Sequence, residues 1–405
     1  MAVKVVIIGG SFGGLTTAYA IRRRLPAGRV SITTISQDER FTFVPSLTWV
    51  ATGSRILDQI SFPLAGPLAR KGIAYVHETV TGIDTDRKVV FTGRSEHPYD
   101  FLVVATGHRS ANEAVEGLGP FDGPGHSPMS VPEVEELRGA IQKLITEPGP
   151  IVVGAAPGAS CIGPAYELTF ELDHLLRQRR LRHKVPITYI TPEPYLGHMG
   201  MGGAGKIRQF LEGEFEERDI SYRTSSAITK ITADAVEVEG TKPVSSVMSI
   251  VIPPLAGVDV VAKTPGLSNP KGFVPVDNHY RHQSFDGVYA VGVAVAMPPV
   301  EETPVPVNFL KTGHMTEQMA EIAAGDIIAR INGRDGGETS DLSARCIIDM
   351  GDRGAYMLAD PVRPPRNKIP GVSDGRRWLV AKRVFEKVYI WHAKHGRKMP
   401  STLGW

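Results

Sequence analysis

Cysteine is nearly absent from this chain, which contains two among 405 residues. Two cysteines cannot form the disulfide framework of a small secreted protein, so each is either an ordinary buried residue or a reactive group. Long apolar runs are absent as well, because no stretch reaches the roughly 18 apolar residues that a membrane-spanning helix needs. A chain without such a run can still lie on a membrane surface.

An excess of charge of either sign is also missing. The formal net charge is +2, which argues against a general nucleic-acid-binding protein. A length of 405 residues predicts two or three domains. The N-terminal apolar stretch leads directly into glycines, so we expect it to form a first strand and not a signal peptide.

A glycine-rich turn separates the apolar strand Lys4–Ile8 from a helix predicted at Leu15–Arg24. The order of its residues approaches the dinucleotide fingerprint G-x-G-x-x-G, in which the first glycine makes the tight turn and the last lets the helix pack on the strand. The helix N-terminus would then face a pyrophosphate. A purely structural glycine turn is the alternative. The turn consists of Gly9, Gly10, Ser11, Phe12, Gly13 and Gly14, with Ser11 at the second glycine position.

Three other strand ends are predicted to face the same nucleotide. The second strand, Val30–Ile35, is followed by Ser36 and Gln37, where the fingerprint usually has an acidic residue that binds a ribose hydroxyl. A serine hydroxyl can make the same bond. Two later strands end at Thr106-Gly107 and at Val291-Gly292, and glycine-terminated strands at these separations are typical of FAD-binding proteins.

A second unit of the same kind begins at Ile151. Its glycine turn leads to a helix predicted at Pro164–Arg177 and a strand at Val185–Ile190. The chain returns to the first unit at Gly287–Val293 and continues into a helix predicted at Lys311–Arg330. We therefore predict an α/β protein with two Rossmann-like dinucleotide-binding domains, one inserted in the other. The predicted domains are residues 1–113 with 277–333, residues 114–276, and a C-terminal membrane-associating region of residues 334–405.

The second glycine turn departs further from the fingerprint. Ala156 and Ala159 replace glycines and Pro157 stiffens the loop, so we predict that this fold has lost a nicotinamide cofactor. Cys161 stands just before the helix instead, and a helix N-terminus is expected to lower the pKa of a thiol. Spacing does not show whether Cys346 meets it, and two unrelated buried cysteines remain the alternative.

Five further segments resemble the sulfide:quinone oxidoreductase family. Together with the N-terminal turn they cover nearly the whole chain in the family's order. They are GAAPGASCIGPAYE (residues 154–167), ITPEPYLGHMGMGG (190–203), GVAVAMPPVEETPVP (292–306), KTGHMTEQM (311–319) and CIIDMGDRGAYMLADP (346–361). A type II NADH:quinone dehydrogenase, which needs no cysteine pair, and a non-catalytic redox or sulfur sensor with the same fold are the alternatives.

The resemblance implies a redox pair of Cys161 and Cys346 beside FAD, with sulfide as the electron donor and a membrane quinone as the acceptor. Sulfur would leave as polysulfide or zero-valent sulfur. The resemblance also makes Glu167 and His198 candidates for proton transfer, although a helix carboxylate and a surface-loop histidine are nearly as well supported. Lys311, which opens the predicted helix, is a candidate to stabilise negative charge on the reduced flavin. No metal is implied.

One departure concerns a third cysteine that the family commonly has. Met129 or Ser130 stands in its place, so we expect the FAD to be bound non-covalently. The acidic residue that many related flavoproteins have after the last strand is also missing, since Val293 follows Gly292.

The C-terminal tail, Arg376–Lys398, contains eight Lys or Arg and one Glu. Aromatic and apolar residues recur in it at helical spacing, which predicts an anchor on an anionic lipid surface, with an ordinary packed helix as the alternative. We expect a peripheral protein of the cell membrane, on a face that the sequence does not reveal, and a homo-oligomer is left open. Tyr356, Phe385 and Tyr389 are candidates for the wall of a quinone pocket. The apolar face is Trp378, Ala381, Phe385, Val388, Tyr389 and His392.

Overall fold

Two parallel β-sheets organise the chain, and a smaller antiparallel sheet with a long helix follows them. The structure is a computed structural model that describes residues 2–119, 123–366 and 371–399. The α/β fold class and the insertion of one dinucleotide-binding fold in the other are confirmed. The domain boundaries at residues 113, 276 and 333 remain predictions.

The elements of the first part of the chain are β1 (Val3–Ile8), α1 (Phe12–Arg24), β2 (Val30–Ser36), β3 (Arg40–Thr42), α2 (Leu47–Ala51), α3 (Leu57–Ile60), β4 (Ser61–Pro63), α4 (Ala65–Ala69), β5 (Ala74–His77), β6 (Val80–Asp84), β7 (Val89–Thr92), β8 (Glu96–Pro98) and β9 (Phe101–Val104). The middle part contains β10 (Arg109–Ser110), α5 (Val131–Thr146), β11 (Ile151–Ala155), α6 (Gly163–Gln178), β12 (Ile187–Ile190), α7 (Ile207–Glu217), β13 (Ile220–Arg223), β14 (Ile228–Ile231), β15 (Ala235–Val238), β16 (Val244–Ser245), β17 (Met248–Ile252), β18 (Leu255–Ala256) and α8 (Asp259–Ala262). The last part contains β19 (Val288–Ala290), α9 (Gly313–Ile331), β20 (Ala344–Asp349), β21 (Gly354–Ala359), β22 (Val372–Gly375) and α10 (Arg376–His395).

The two parallel sheets have a similar order of their central strands. The first sheet has the order β19-β9-β1-β2-β5 and the second has the order β13-β12-β11-β17. In each sheet the first strand of the βαβ unit, β1 or β11, lies between the strand that follows it in the unit and a strand from much later in the chain. Ligands of open α/β sheets bind outside the carboxyl ends of the strands at such a switch in strand order.

The core strands are apolar because both faces of their sheets are buried. Four consecutive residues of β1, Val5–Ile8, are buried, as are all five residues of β11 and of β17. Such continuous apolar runs are typical of strands buried on both faces, whereas a half-exposed strand would alternate.

Two glycines of the first turn are required by close backbone approach. Gly9 has φ +116°, and a Cβ there would overlap the carbonyl oxygen of Ala105. A Cβ on Gly14 would overlap the carbonyl oxygen of Gly9. Helix α1 begins at Phe12 and not at the predicted Leu15, because the last two glycines of the turn already have helical geometry.

One prediction about the later elements was wrong. Lys311 does not open a helix, since α9 begins at Gly313, where the Thr312 side chain accepts a hydrogen bond from Met315 N–H and caps the helix. The described residues of the C-terminal region contain one helix, α10, packed on the antiparallel sheet β20-β21-β22.

The prediction of which side of the tail faces the lipid was also wrong. Tyr389 is 4% exposed and Phe385 is half-buried, so the aromatic side of α10 packs on the protein. The exposed apolar residues of α10 are Val380, Val384 and Trp391, which recur at helical spacing on another side. Among the described residues, no helix is both long and apolar enough to cross a membrane.

We predict that Gly14→Ala destabilises the protein by at least about 2 kcal/mol, because its Cβ would meet rigid backbone. Gly28→Ala is the matched control, since a Cβ there meets nothing within 4 Å, and its effect should stay within about 0.5 kcal/mol. Denaturant unfolding of both variants measures the difference. Equal unfolding free energies would show that the backbone contact at Gly14 carries no such cost.

Candidate functional site

The predicted cofactor-binding residues lie together at the carboxyl edge of the first sheet. Gly9, Ser11, Phe12, Gly13 and Gly14 follow β1, and Thr106 and Gly107 follow β9. Ser36 and Gln37 lie at the end of β2, and Gly292 lies beyond β19. Because these parallel strands are hydrogen-bonded neighbours, their carboxyl ends meet at the switch in strand order. What each residue binds remains a prediction.

The end of β2 carries a buried hydroxyl in place of an acidic side chain. The Oγ atom of Ser36 accepts a hydrogen bond from Asp38 N–H at 3.2 Å. The hydroxyl hydrogen of Ser36 therefore remains available to a ribose oxygen. The Gln37 side chain is exposed, and its main-chain carbonyl accepts a hydrogen bond from His77 at 3.0 Å.

Two buried hydroxyls fit an absent ligand. Thr106 Oγ1 and Ser160 Oγ are buried and have no hydrogen-bond partner among the described residues. An unsatisfied buried polar group costs about 1–3 kcal/mol, so such groups usually face a ligand or water. Beside Thr106, Gly107 has φ +70° and open space where a Cβ would lie. The residues present therefore fit a dinucleotide at this edge.

A cavity of about 320 Å³, within the size range of small-ligand sites, is lined by residues that follow strands of both parallel sheets. Ser160, Phe273, Met297, Asn308 and Lys311 line it. Ser160 precedes Cys161 directly, so the cavity begins next to the first cysteine.

Lys311 is buried in the cavity wall and is not a solvated lysine. Its Nζ donates hydrogen bonds to the carbonyls of Val293 and Val295, both at 2.8 Å. Burial lowers the pKa of Lys311 from its usual 10.5 to about 7. His108 lies close enough that the charge of Lys311, after the larger effect of burial, lowers the histidine pKa to about 4.

The structure brings the two cysteines together. Helix α6, which begins two residues after Cys161, packs on β20, which contains Cys346. Burial, followed by the nearby charge of Cys161, raises the pKa of Cys346 to about 12. Both thiols are free and partly buried.

The prediction of a low thiol pKa at Cys161 was wrong. Burial raises the pKa of Cys161 from 9.0 to about 11. The helix N-terminus contributes at most a few kcal/mol to a nearby charge, whereas the loss of solvation disfavours the thiolate more strongly here. In the protein without ligands, both thiols are therefore protonated at neutral pH.

Glu167 connects the two cysteine-bearing elements. Its Oε1 accepts a hydrogen bond from Asp349 N–H in β20 at 3.0 Å, and it also forms an ion pair with Lys382 of α10. The side chain is buried, so it is not an ordinary exposed helix carboxylate. Its part in proton transfer remains a prediction.

His198 is buried and not a surface-loop residue. Its Nδ1 accepts a hydrogen bond from Gly200 N–H at 3.2 Å, so the neutral ring carries its hydrogen on Nε2. That nitrogen lies 2.9 Å from Oε1 of Glu301. Its catalytic role remains a prediction.

The predicted quinone residues border an aromatic cluster. The ring of Tyr389 lies 5.1 Å from Phe12, 5.2 Å from Phe43 and 5.7 Å from Phe385, between ring centroids. Tyr356 pairs with Ile347 across the β20–β21 ladder, one position from Cys346, and its ring stacks on Trp378 at 4.5 Å. Phe12 thus belongs both to the glycine turn and to this aromatic cluster.

Several polar residues of the site were missed from the sequence. Glu317 accepts a hydrogen bond from the Tyr389 hydroxyl at 3.0 Å, and burial raises its pKa to about 7. Glu171 accepts hydrogen bonds from Thr48 and Thr52, and burial followed by the charge of Asp349 raises its pKa well above the usual value. No local pattern marks these carboxylates, because their partners lie on distant segments.

We predict that Cys161 reacts slowly with iodoacetamide at neutral pH. With a pKa of about 11, roughly one thiol in ten thousand is ionised at pH 7. In a Cys346→Ser variant, which leaves one cysteine, the alkylation rate measured by mass spectrometry should rise about tenfold per pH unit between pH 7 and 10. A rate that levels off below pH 8 would show that the helix N-terminus outweighs burial.

Comparisons with known proteins identify the family of this chain. Residues 3–318 match the pyridine nucleotide-disulphide oxidoreductase family. The sulfide-quinone reductase of Aquifex aeolicus is 37% identical over 412 residues, which cover 99% of this chain and 93% of that protein. The mitochondrial sulfide:quinone oxidoreductase of Dictyostelium discoideum is 26% identical over 73% of this chain and 66% of that protein.

A solved structure has the same fold as this chain. The crystal structure of the sulfide:quinone oxidoreductase from Aquifex aeolicus matches with a TM-score of 0.95 and 36% identity, covering 99% of this chain and 94% of that chain. The family assignment made from the sequence motifs is confirmed. The chain belongs to the sulfide:quinone oxidoreductase family, within the pyridine nucleotide-disulphide oxidoreductases.

Proposed function

We propose that this protein oxidises sulfide to polysulfide or zero-valent sulfur and passes two electrons through a flavin to a membrane quinone. The observation that carries the proposal is the meeting of Cys161 and Cys346 near a cavity walled by Ser160 and Lys311. The Aquifex aeolicus sequence and the Aquifex aeolicus crystal structure named above, whose names include this activity, resemble the chain over nearly its whole length.

The family implies a flavin cofactor, and we propose that it is non-covalently bound FAD. A bound flavin supplies a two-electron acceptor that can be reoxidised by a quinone. The free N–H groups at the start of α1, in the turn from Gly9 to Gly14, would hold the pyrophosphate. Ser36 and Gln37 would face a ribose, and Thr106, Gly107 and Gly292 would border the rest of the cofactor. Neither Met129 nor Ser130 offers a thiol to tether it.

The sulfur chemistry would be thiol–disulfide exchange at the cysteine pair. Hydrosulfide attacks one sulfur of a Cys161–Cys346 bridge, so that one cysteine becomes a persulfide and the other a thiolate. Joining these two groups as a trisulfide releases one proton and two electrons. Glu167 and His198 are the candidates to accept the proton. The ammonium of Lys311 would stabilise negative charge beside the cavity.

The quinone would lie against the aromatic cluster around Tyr389. Phe385 and Tyr389 lie within it, and Tyr356 lies beside the Cys346 strand. Phe12 joins the cluster to the glycine turn, so a quinone at these rings would be near the flavin. Glu317, bonded to the Tyr389 hydroxyl, is a buried carboxyl group at the same place.

The exposed side of α10 would place the protein on the surface of the cell membrane as a peripheral protein. Val380, Val384 and Trp391 would enter the interface between lipid headgroups and acyl chains. The exposed lysines and arginines of the same helix would face anionic headgroups, whereas Lys382 is buried against Glu167. A quinone dissolved in the lipid would then reach the aromatic cluster.

We expect anaerobic sulfide to bleach the flavin absorbance of the purified protein and a quinone to restore it, because the cysteine pair supplies electrons to the flavin. NADH should leave the absorbance unchanged. Cys161→Ser and Cys346→Ser should each abolish bleaching. Absorbance spectra under nitrogen measure all three effects.

The matched control for the cysteine variants is Met357→Leu. Met357 pairs with Cys346 across the β20–β21 ladder, and an exchange of similar volume should cost less than about 1.5 kcal/mol. This variant should bleach normally. Absence of bleaching by sulfide in the unmodified protein would refute the proposed function, and bleaching in a cysteine variant would refute the role of the pair.

We also expect Val384→Asp to weaken binding to vesicles that contain anionic lipid by at least about tenfold, because it removes an apolar contact and adds a negative charge. Val247→Asp is the matched control, since Val247 is 54% exposed, as compared with 48% for Val384, and lies directly before β17, away from α10 in the sequence. Co-sedimentation measures both. Equal binding of the two variants would show that α10 does not contact the lipid.

A further inference from the structure

We propose that Glu193 and Tyr166 are positioning residues that hold His198 against the wall of the cavity. Together they fix residues 195–205, named here the His198 loop. The inference deepens the proposed function and rests on it, because it concerns the geometry of a group that is a candidate to move a proton during sulfide oxidation.

Glu193 lies three residues beyond β12, the second strand of the inserted fold. This is the place from which a dinucleotide fold presents an acidic side chain to a ribose. Here the carboxylate is fully buried and points inward. Its Oε1 accepts a hydrogen bond from Met199 N–H at 2.7 Å, and its Oε2 accepts bonds from the hydroxyls of Tyr166 at 2.7 Å and Thr191 at 2.8 Å.

Tyr166 connects this carboxylate to the cysteine-bearing helix. It lies on α6, is fully buried, and donates its hydroxyl hydrogen to Glu193. The same oxygen accepts a hydrogen bond from Gly197 N–H at 2.8 Å. Glu193 and Tyr166 therefore bind the main chain on both sides of His198, at Gly197 and at Met199.

The His198 loop rests directly on the wall of the cavity. A Cβ on Gly200 would overlap the carbonyl oxygen of Asn308, which lines the cavity. His198 itself lies 2.9 Å from Glu301, in the segment that follows Pro298 and Pro299 of the wall. A displacement of the loop would therefore move both the histidine and the cavity wall.

Stability alone does not account for a carboxylate at this position. Within the described part of the chain, Glu193 forms no ion pair, and burial raises its pKa to about 7 although three hydrogen bonds act in the opposite direction. Burying such a group costs folding free energy, and at Glu193 the three hydrogen bonds offset only part of the effect of burial on the carboxylate. The bonds it makes are those that fix the loop.

The test compares two neighbouring tyrosines in the holoenzyme. Tyr166→Phe removes the hydroxyl bonds to Gly197 of the loop and to Glu193, and should lower kcat for sulfide-dependent quinone reduction about tenfold, with the KM for quinone unchanged. Tyr189→Phe is the control. Tyr189 is also fully buried, its ring lies 4.7 Å from that of Tyr166, and in the described chain no hydrogen bond joins its hydroxyl to the loop. Its kcat should stay within about twofold.

A second comparison separates positioning from a general loss of stability. His198→Asn should lower kcat by itself, and adding Tyr166→Phe to it should cause no further loss, since residues that act through one group are not additive. Additive losses, or an equal loss in Tyr189→Phe, would overturn the proposal. An unchanged kcat in His198→Asn would overturn it too, while persisting sulfide turnover leaves the proposed function standing.

Glu193 provides an independent pair of variants if Tyr166→Phe does not fold. Glu193→Gln keeps an oxygen for Met199 N–H and should lower kcat by at most about threefold, whereas Glu193→Leu has a similar size without acceptors and should lower it at least about tenfold. Equal losses in the two variants would contradict a role through these hydrogen bonds.

Discussion

The carboxylate of Glu167 joins the three parts of the chain on which the site depends. It lies on α6 behind Cys161, accepts the main-chain N–H of Asp349 three residues after Cys346, and pairs with Lys382 of α10. A hydrogen bond to a charged group is stronger than one between neutral groups, and in a buried position neither partner has water as a substitute. This one side chain therefore links the helix that follows Cys161 to the strand that contains Cys346 and to α10.

Burial disfavours the charged form of four ionisable groups in this part of the structure. It raises the pKa of Cys161 and Cys346, and it lowers the pKa of Lys311 and His108. In such surroundings a single charge is costly, whereas two opposite charges that lie close together stabilise each other. Charges at this site therefore form more readily in pairs, which suits a reaction that separates a proton from two electrons.

The two dinucleotide folds present different groups at the carboxyl edges of their sheets. In the first, the strand ends expose helix N–H groups, a free hydroxyl and glycines, which fit a nucleotide. In the second, the turn beyond β11 presents Cys161, and the acidic side chain beyond β12 is turned inward to hold the His198 loop. The same βαβ geometry thus presents glycines and a free hydroxyl at one sheet and Cys161 at the other.

The sequence by itself determined the elements that depend on neighbouring residues in the chain. The glycine turn at Gly9, the apolar strands and the order of the βαβ units follow from backbone sterics and from burial on both faces, so pattern alone predicted them. The family motifs identified Cys161, Cys346 and His198. The tertiary structure decided how these groups behave: burial reversed the expected pKa of Cys161, and packing turned Tyr389 inward and left Val384 exposed. Desolvation and packing depend on residues distant in the chain, such as Asp349 beside Glu167, and no local pattern contains them.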